Sequence, residues 1–120
     1  MKKLLVVAST VFLSGCIAAM TPKEVVDKGP LSTYTSSKNS GDVVKCIAPK
    51  WEETKDFGIL PIVSARETES GHRIIFYVAD DVKYVVDIDN NTSGSKTKLY
   101  VGKTASYGGD KRIKDVSDCQ

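Results

Sequence analysis

The sequence predicts an α+β fold: a helix, a four-stranded antiparallel β-meander and a short C-terminal helix, with both helices packed on one face of the sheet. Three observations carry this expectation. Between Arg73 and Val101, apolar and polar residues alternate with period two, as they do in strands with one buried face. Val43, Val44, Ile47 and Trp51 recur at helical spacing and form one apolar stripe. Asp110 precedes a short segment in which Ile113 and Val116 stand three apart, with Asp110 placed to cap it.

The first helix is expected to start at Asn39, which can cap, with Asp42 placed to complement the helix dipole. Pro49 removes a backbone bond to Lys45 and disfavours helical geometry at Ala48. The helix therefore kinks there, or ends and restarts as a turn through residues 51–53. Four strands follow. The first covers Ile59 to Arg66, with Pro61 making its start an edge or an irregular segment. Arg73 to Ala79 places Ile74, Phe76 and Val78 on one face and Ile75 and Tyr77 on the other. Val82 to Asp89 points Val82, Tyr84, Val86 and Ile88 one way, and Lys96 to Val101 has Thr97, Leu99 and Val101 as its inner set. With helices on only one face, Ile75, Tyr77 and Val85 are expected to form an exposed apolar patch, a candidate interaction surface.

The N-terminus follows a different logic. Lys2 and Lys3 precede an apolar run from Leu4 to Leu13, which is too short to span a bilayer, since that takes about 20 residues. Its length is that of a signal-peptide core. Leu13-Ser14-Gly15-Cys16 resembles the lipobox of bacterial lipoproteins. The resemblance implies that residues 1–15 are a signal peptide and that Cys16 carries a thioether-linked diacylglyceryl group. This covalent lipid would be the only non-protein group, with no cofactor and no metal. Ile17 rather than Asp after the cysteine favours the outer membrane, facing the periplasm. Residues 16–38 are expected to be a lipidated tether in which Thr21-Pro22-Lys23-Glu24 can start a short helix, and residues 39–120 a single domain.

Processing changes the composition. The chain has 17 basic and 15 acidic side chains, and Lys2 and Lys3 account for the excess. A neutral mature domain gives no electrostatic argument for nucleic acid. Lipidation of Cys16 also resolves the odd count of 3 cysteines. Cys46 and Cys119 are expected to pair in an oxidising compartment, with two free buried thiols as the alternative.

Little in the chain carries chemistry. His72 is the single histidine, beside Gly71 at a turn, and no G-x-S-x-G context exists for a nucleophile. Asp87-Ile88-Asp89-Asn90-Asn91 resembles the start of a calcium loop, but Thr92 and Lys98 stand where glycine and glutamate are needed. Lys96 and Lys98 are expected to oppose Asp87 and Asp89 across paired strands. No catalytic residues are assigned.

Ser37-Lys38-Asn39 ahead of a helix, Val44-Lys45-Cys46-Ile47-Ala48, Trp51-Glu52 and a second cysteine near the C-terminus resemble small proteobacterial lipoproteins with an Ala-Lys-Cys-Ile-Ala-like helix, a β-meander and a terminal cysteine. The resemblance implies an address and an architecture and carries no activity. The expectation is a non-enzymatic, lipid-anchored envelope accessory acting through an envelope protein partner. The alternative is an inhibitor or exclusion lipoprotein acting on a cell-wall hydrolase or a phage receptor.

Overall fold

The computed structural model describes residues 19–55, 58–105 and 110–120. The signal segment, the lipobox residues Leu13, Ser14 and Gly15, and Cys16 lie outside the described residues. The chain is α+β, built on one antiparallel sheet. In chain order the elements are α1 (Pro22–Asp27), β1 (Ser32–Ser36), α2 (Ser40–Glu52), β2 (Ile62–Glu67), β3 (Gly71–Val78), β4 (Asp81–Asn91), β5 (Gly94–Val101) and α3 (Lys111–Asp118). The sheet order is β1-β5-β4-β3-β2. Among the described residues no helix is long and apolar enough to cross a membrane.

The expected four-strand meander is therefore the greater part of a five-strand sheet. The extra strand, β1, pairs antiparallel with β5, Tyr34 opposite Thr97. Its sequence Ser-Thr-Tyr-Thr-Ser has a single large apolar side chain, so hydrophobic alternation cannot reveal it. Thr and Tyr nonetheless suit an edge strand. Residues expected to form a tether are thus part of the fold, which already holds Met20 and Val25 in buried positions.

The sheet is covered on both faces. On one face, Val43, Ile47 and Trp51 from α2, with Val116 and Cys119 from the α3 end, pack on Ile74, Phe76, Tyr84, Val86, Ile88, Leu99 and Val101. On the other, Met20 and Val25 pack on Ile75, Val82, Val85 and Tyr100, with Tyr77 at the margin. The expected exposed patch of Ile75, Tyr77 and Val85 is corrected accordingly. Ile75 and Val85 are buried and Tyr77 is half-buried, because α1 and Met20 lie over them. An apolar face seeks cover, and here the segment before β1 supplies it.

One side chain changes face through a bulge. Phe76 pairs with Tyr84 but Tyr77 pairs with Val82, so Lys83 is an extra residue in β4. The bulge turns Val82 away from Tyr84 and onto the α1 face, against the strict alternation of the sequence.

α2 runs without interruption through Pro49 to Glu52. Pro49 and Lys45 are both exposed, so the carbonyl that loses its helical donor can turn to water. Asn39 caps the helix, its side chain accepting from the Asp42 N–H at 2.9 Å. Thr21 caps α1 in the same way through the Glu24 N–H at 3.3 Å.

The β4–β5 hairpin depends on Gly94. It adopts φ +143°, and a Cβ there would lie 2.1 Å from the Ser36 carbonyl oxygen. Gly94→Ala is expected to destabilise the protein by more than about 1 kcal/mol, since both the backbone angle and the space are wrong for a side chain. Urea unfolding of the variant against the parent protein measures this.

Candidate functional site

The two ends of the sheet differ in chemistry. The starts of β1, β2 and β4 and the ends of β3 and β5 share one end, as the pairs Ser32–Leu99, Ile62–Tyr77 and Tyr84–Val101 require. The opposite end holds the β2–β3 and β4–β5 hairpins and the start of α2.

The hairpin end is polar. A shallow open hollow of about 280 Å³ is lined by Thr35, Ser36, Ser37, Asn91, Ser93 and Ser95. Its lining is hydroxyl and amide, with no charged side chain. Beside it, Ser95 Oγ donates to the Lys38 carbonyl at 2.7 Å, which ties the β1–α2 connection to β5. The same connection then opens α2 at Ser40.

Ser40 joins the only histidine to the fold. Its Oγ lies 2.7 Å from His72 Nδ1 and accepts from Asn90 Nδ2 at 2.9 Å, while its N–H donates to Asn90 Oδ1 at 2.7 Å. A serine beside a histidine resembles half of a nucleophilic pair, but Ser40 is only 1% exposed. Its oxygen is already committed to Asn90 and His72. The arrangement is a clamp that holds the first turn of α2 on β3 and β4. His72, expected beside Gly71 at a turn, is half-buried within β3 for this reason.

A bidentate ion pair braces β3 against β4. Arg73 Nε and Nη2 donate to the two oxygens of Asp87 at 2.6 and 2.8 Å. Asp87 and Asp89 stand opposite Lys98 and Lys96 in register, as expected from the strand pattern. The bidentate partner of Asp87 nevertheless comes from the other neighbouring strand.

The start of α3 forms a second polar cluster. Asp110 Oδ1 accepts from the Arg112 backbone N–H at 2.8 Å and from Nε at 3.0 Å, and Oδ2 accepts from Arg112 Nη2 at 3.1 Å and from the Tyr84 hydroxyl at 3.2 Å. The guanidinium stacks over Phe76 and Tyr84 at 5.2 and 5.4 Å from their centroids. Burial works to raise the Asp110 pKa, but the hydrogen bonds and charge of Arg112 and the Tyr84 hydroxyl outweigh it, so the carboxyl is held below its ordinary range. A depressed carboxyl contributes stability above its unfolded pKa of about 4, and that contribution is lost as pH falls through the lower folded value. Asp110→Asn is therefore expected to lower stability at neutral pH and to flatten its loss below about pH 4. Thermal melts across that range check this.

The disulfide joins α2 to the end of α3. Cys46 and Cys119 are bonded, with Cα atoms 5.6 Å apart. Trp51 Nε1 donates to the Arg112 carbonyl at 3.0 Å and gives a second tie between the same helices.

The other end of the sheet holds the N-terminal segment. The Met20 N–H donates to Asp81 Oδ1 at 3.1 Å, its carbonyl accepts from the Val82 N–H at 3.3 Å, and its sulfur accepts from the Lys103 backbone N–H at 3.2 Å. Asp81 is also bonded by Thr104 and by Lys83. This docking has no motif in the sequence, because it is built from single residues far apart in the chain.

The same end carries the exposed large apolar side chains among the described residues: Leu31, Ile59, Leu60 and Ile62, at 47–64% exposure. The run Gly58-Ile59-Leu60-Pro61-Ile62 is apolar without periodicity, and that was the one sequence signal available for them. Comparisons with protein-family models, curated proteins and solved structures return no match.

Proposed function

We propose that this chain is a lipid-anchored protein of the cell envelope, held at the outer membrane and facing the periplasm, that acts without catalysis by contact with an envelope protein. The carrying observation is Leu13-Ser14-Gly15-Cys16 behind a basic start and an apolar run. The fold supports it in two ways. Met20, four residues beyond Cys16, docks at one end of the sheet, so a chain anchored at Cys16 would present the hydroxyl- and amide-lined hollow at the far end. In the Ser40–His72 contact the Ser40 hydroxyl is buried and already bonded by Asn90, which supports contact rather than nucleophilic chemistry there.

The test is crosslinking in intact envelopes followed by identification of captured proteins, with the parent chain and with Ser93→Trp, which fills the hollow from an exposed position. The expected result is one reproducible partner that is lost in the variant. Absence of any partner, or capture unchanged by the substitution, counts against the reading. Inhibition of a lysozyme by the purified chain would replace it with the inhibitor alternative.

A further inference from the structure

We infer that the Met20 end of the sheet is a lipid-contacting surface, with Ile59, Leu60 and Ile62 on one flank and Leu31 on the other entering the boundary between headgroups and acyl chains. The inference rests on lipid attachment at Cys16 and goes further, because it specifies which part of the domain touches the bilayer. Three observations lead to it.

First, the leash is short. Three residues lie between Cys16 and Met20, and the four backbone steps from one to the other span at most about 14 Å at full extension. Met20 itself is fastened by Asp81, Val82 and Lys103. A lipid on Cys16 therefore keeps this end of the sheet near the bilayer and prevents the domain from standing off on a long tether.

Second, the exposed apolar side chains are not scattered. Leu31 precedes β1 and its N–H donates to the Leu99 carbonyl at 2.7 Å. Ile62 opens β2 opposite Tyr77, and Ile59 and Leu60 lie just before it. β1 and β2 are the two edges of the sheet. At about 4.8 Å between strands, the two flanks stand roughly 20 Å apart, with the Met20 site between them. β2 lies two strands from β4, roughly 10 Å from the docked methionine.

Third, the contrast between the ends matches a bilayer contact. The hollow at the far end is lined by four serines, one threonine and one asparagine. The Met20 end carries both signs of charge, with Lys83 paired to Asp81, and Asp80 and Lys103 exposed. Attraction to an anionic surface is thus not the main driving force, and apolar insertion beside the anchor is.

The experiment uses the full chain matured in cells, purified with its lipid and reconstituted into vesicles of phosphatidylcholine brominated on the acyl chains. Leu60→Trp places a fluorophore on the proposed surface, and Thr92→Trp places one on the far hairpin; both positions are exposed, so both variants are expected to fold. The parent protein, with its single buried Trp51, supplies the background. The expected result is a blue-shifted Leu60→Trp emission that is strongly quenched by brominated lipid, with Thr92→Trp left unquenched. Equal quenching of the two, or none at Leu60→Trp, overturns the inference. So does a blue shift without quenching that accompanies dimers in detergent, which would assign the β2 edge to a second copy of the chain. Intact mass is read on the same samples. An acylated Cys16 without quenching overturns this surface alone, whereas an unacylated Cys16 overturns the anchor reading and the surface with it.

Discussion

Replacing Cys46 and Cys119 together by alanine is expected to lower the unfolding free energy by about 4 kcal/mol, the chain-entropy value for a loop of this length. The bridge closes a 73-residue separation that contains the second half of α2 and every strand except β1. Without it the unfolded chain regains the freedom of that whole loop. α3 has only 8 residues, too few to be stable alone in water, so the folded state also loses a tie on an element that depends on tertiary contact. Denaturant unfolding of the double variant, and of the parent with and without reductant, measures the effect. Agreement between the chemical and the genetic removal shows that the bond itself is responsible. A change below about 1 kcal/mol would mean that the Trp51 and Arg112 contacts hold α3 unaided.

Trp51→Ala is expected to cost about 3–5 kcal/mol, the range for removing a large buried aromatic side chain. Trp51 is fully buried and its ring stands 5.6 Å from Phe76 and 5.9 Å from Tyr84. Phe76 and Tyr84 also contact each other edge to face at 5.6 Å, so the three rings form one unit. Truncation leaves a cavity between α2 and the sheet and leaves the Arg112 carbonyl without its donor at 3.0 Å. Trp51→Phe separates the two contributions, because it keeps much of the volume and removes the N–H. The disulfide and Trp51 both join α2 to α3, so their losses are expected to be non-additive. A double-mutant cycle with the cysteine pair measures that coupling.

Where side-chain order along the chain dictates structure, the sequence was readable. The inward sets of β3 and β5 lie on the face covered by α2 and α3 as alternation requires: Ile74, Phe76 and Val78, then Leu99 and Val101. Both long-range helices have the caps expected of them, Asn39 and Asp110. Pro49 was ambiguous because the loss of one donor is decided by what surrounds the freed carbonyl, and that position faces solvent. Val82 leaves the face that alternation predicts because one extra residue, Lys83, inverts the pattern. β1 was hidden because an edge strand can be held by hydrogen bonds to β5 with a single apolar contact from Tyr34.

The candidate site divides along the same line. Leu13-Ser14-Gly15-Cys16 and the exclusion of a G-x-S-x-G context are local strings, so the sequence states them directly. The polar hollow draws on β1, β4 and β5, and the Met20 dock on residues 20, 81–83 and 103–104. Neither has a spacing that a linear reading can detect.

By itself the sequence determined the helix caps, the periodicity of the central strands and the N-terminal lipobox pattern, because each depends on neighbours within a few residues. Only the tertiary structure decided that the segment before β1 covers the second face, burying Ile75 and Val85. It alone placed Leu31, Ile59, Leu60 and Ile62 at one end. The physical reason is that covering an apolar face is a property of the whole sheet. Which segment supplies the cover depends on where antiparallel pairing leaves the chain, and no local stretch of residues encodes that.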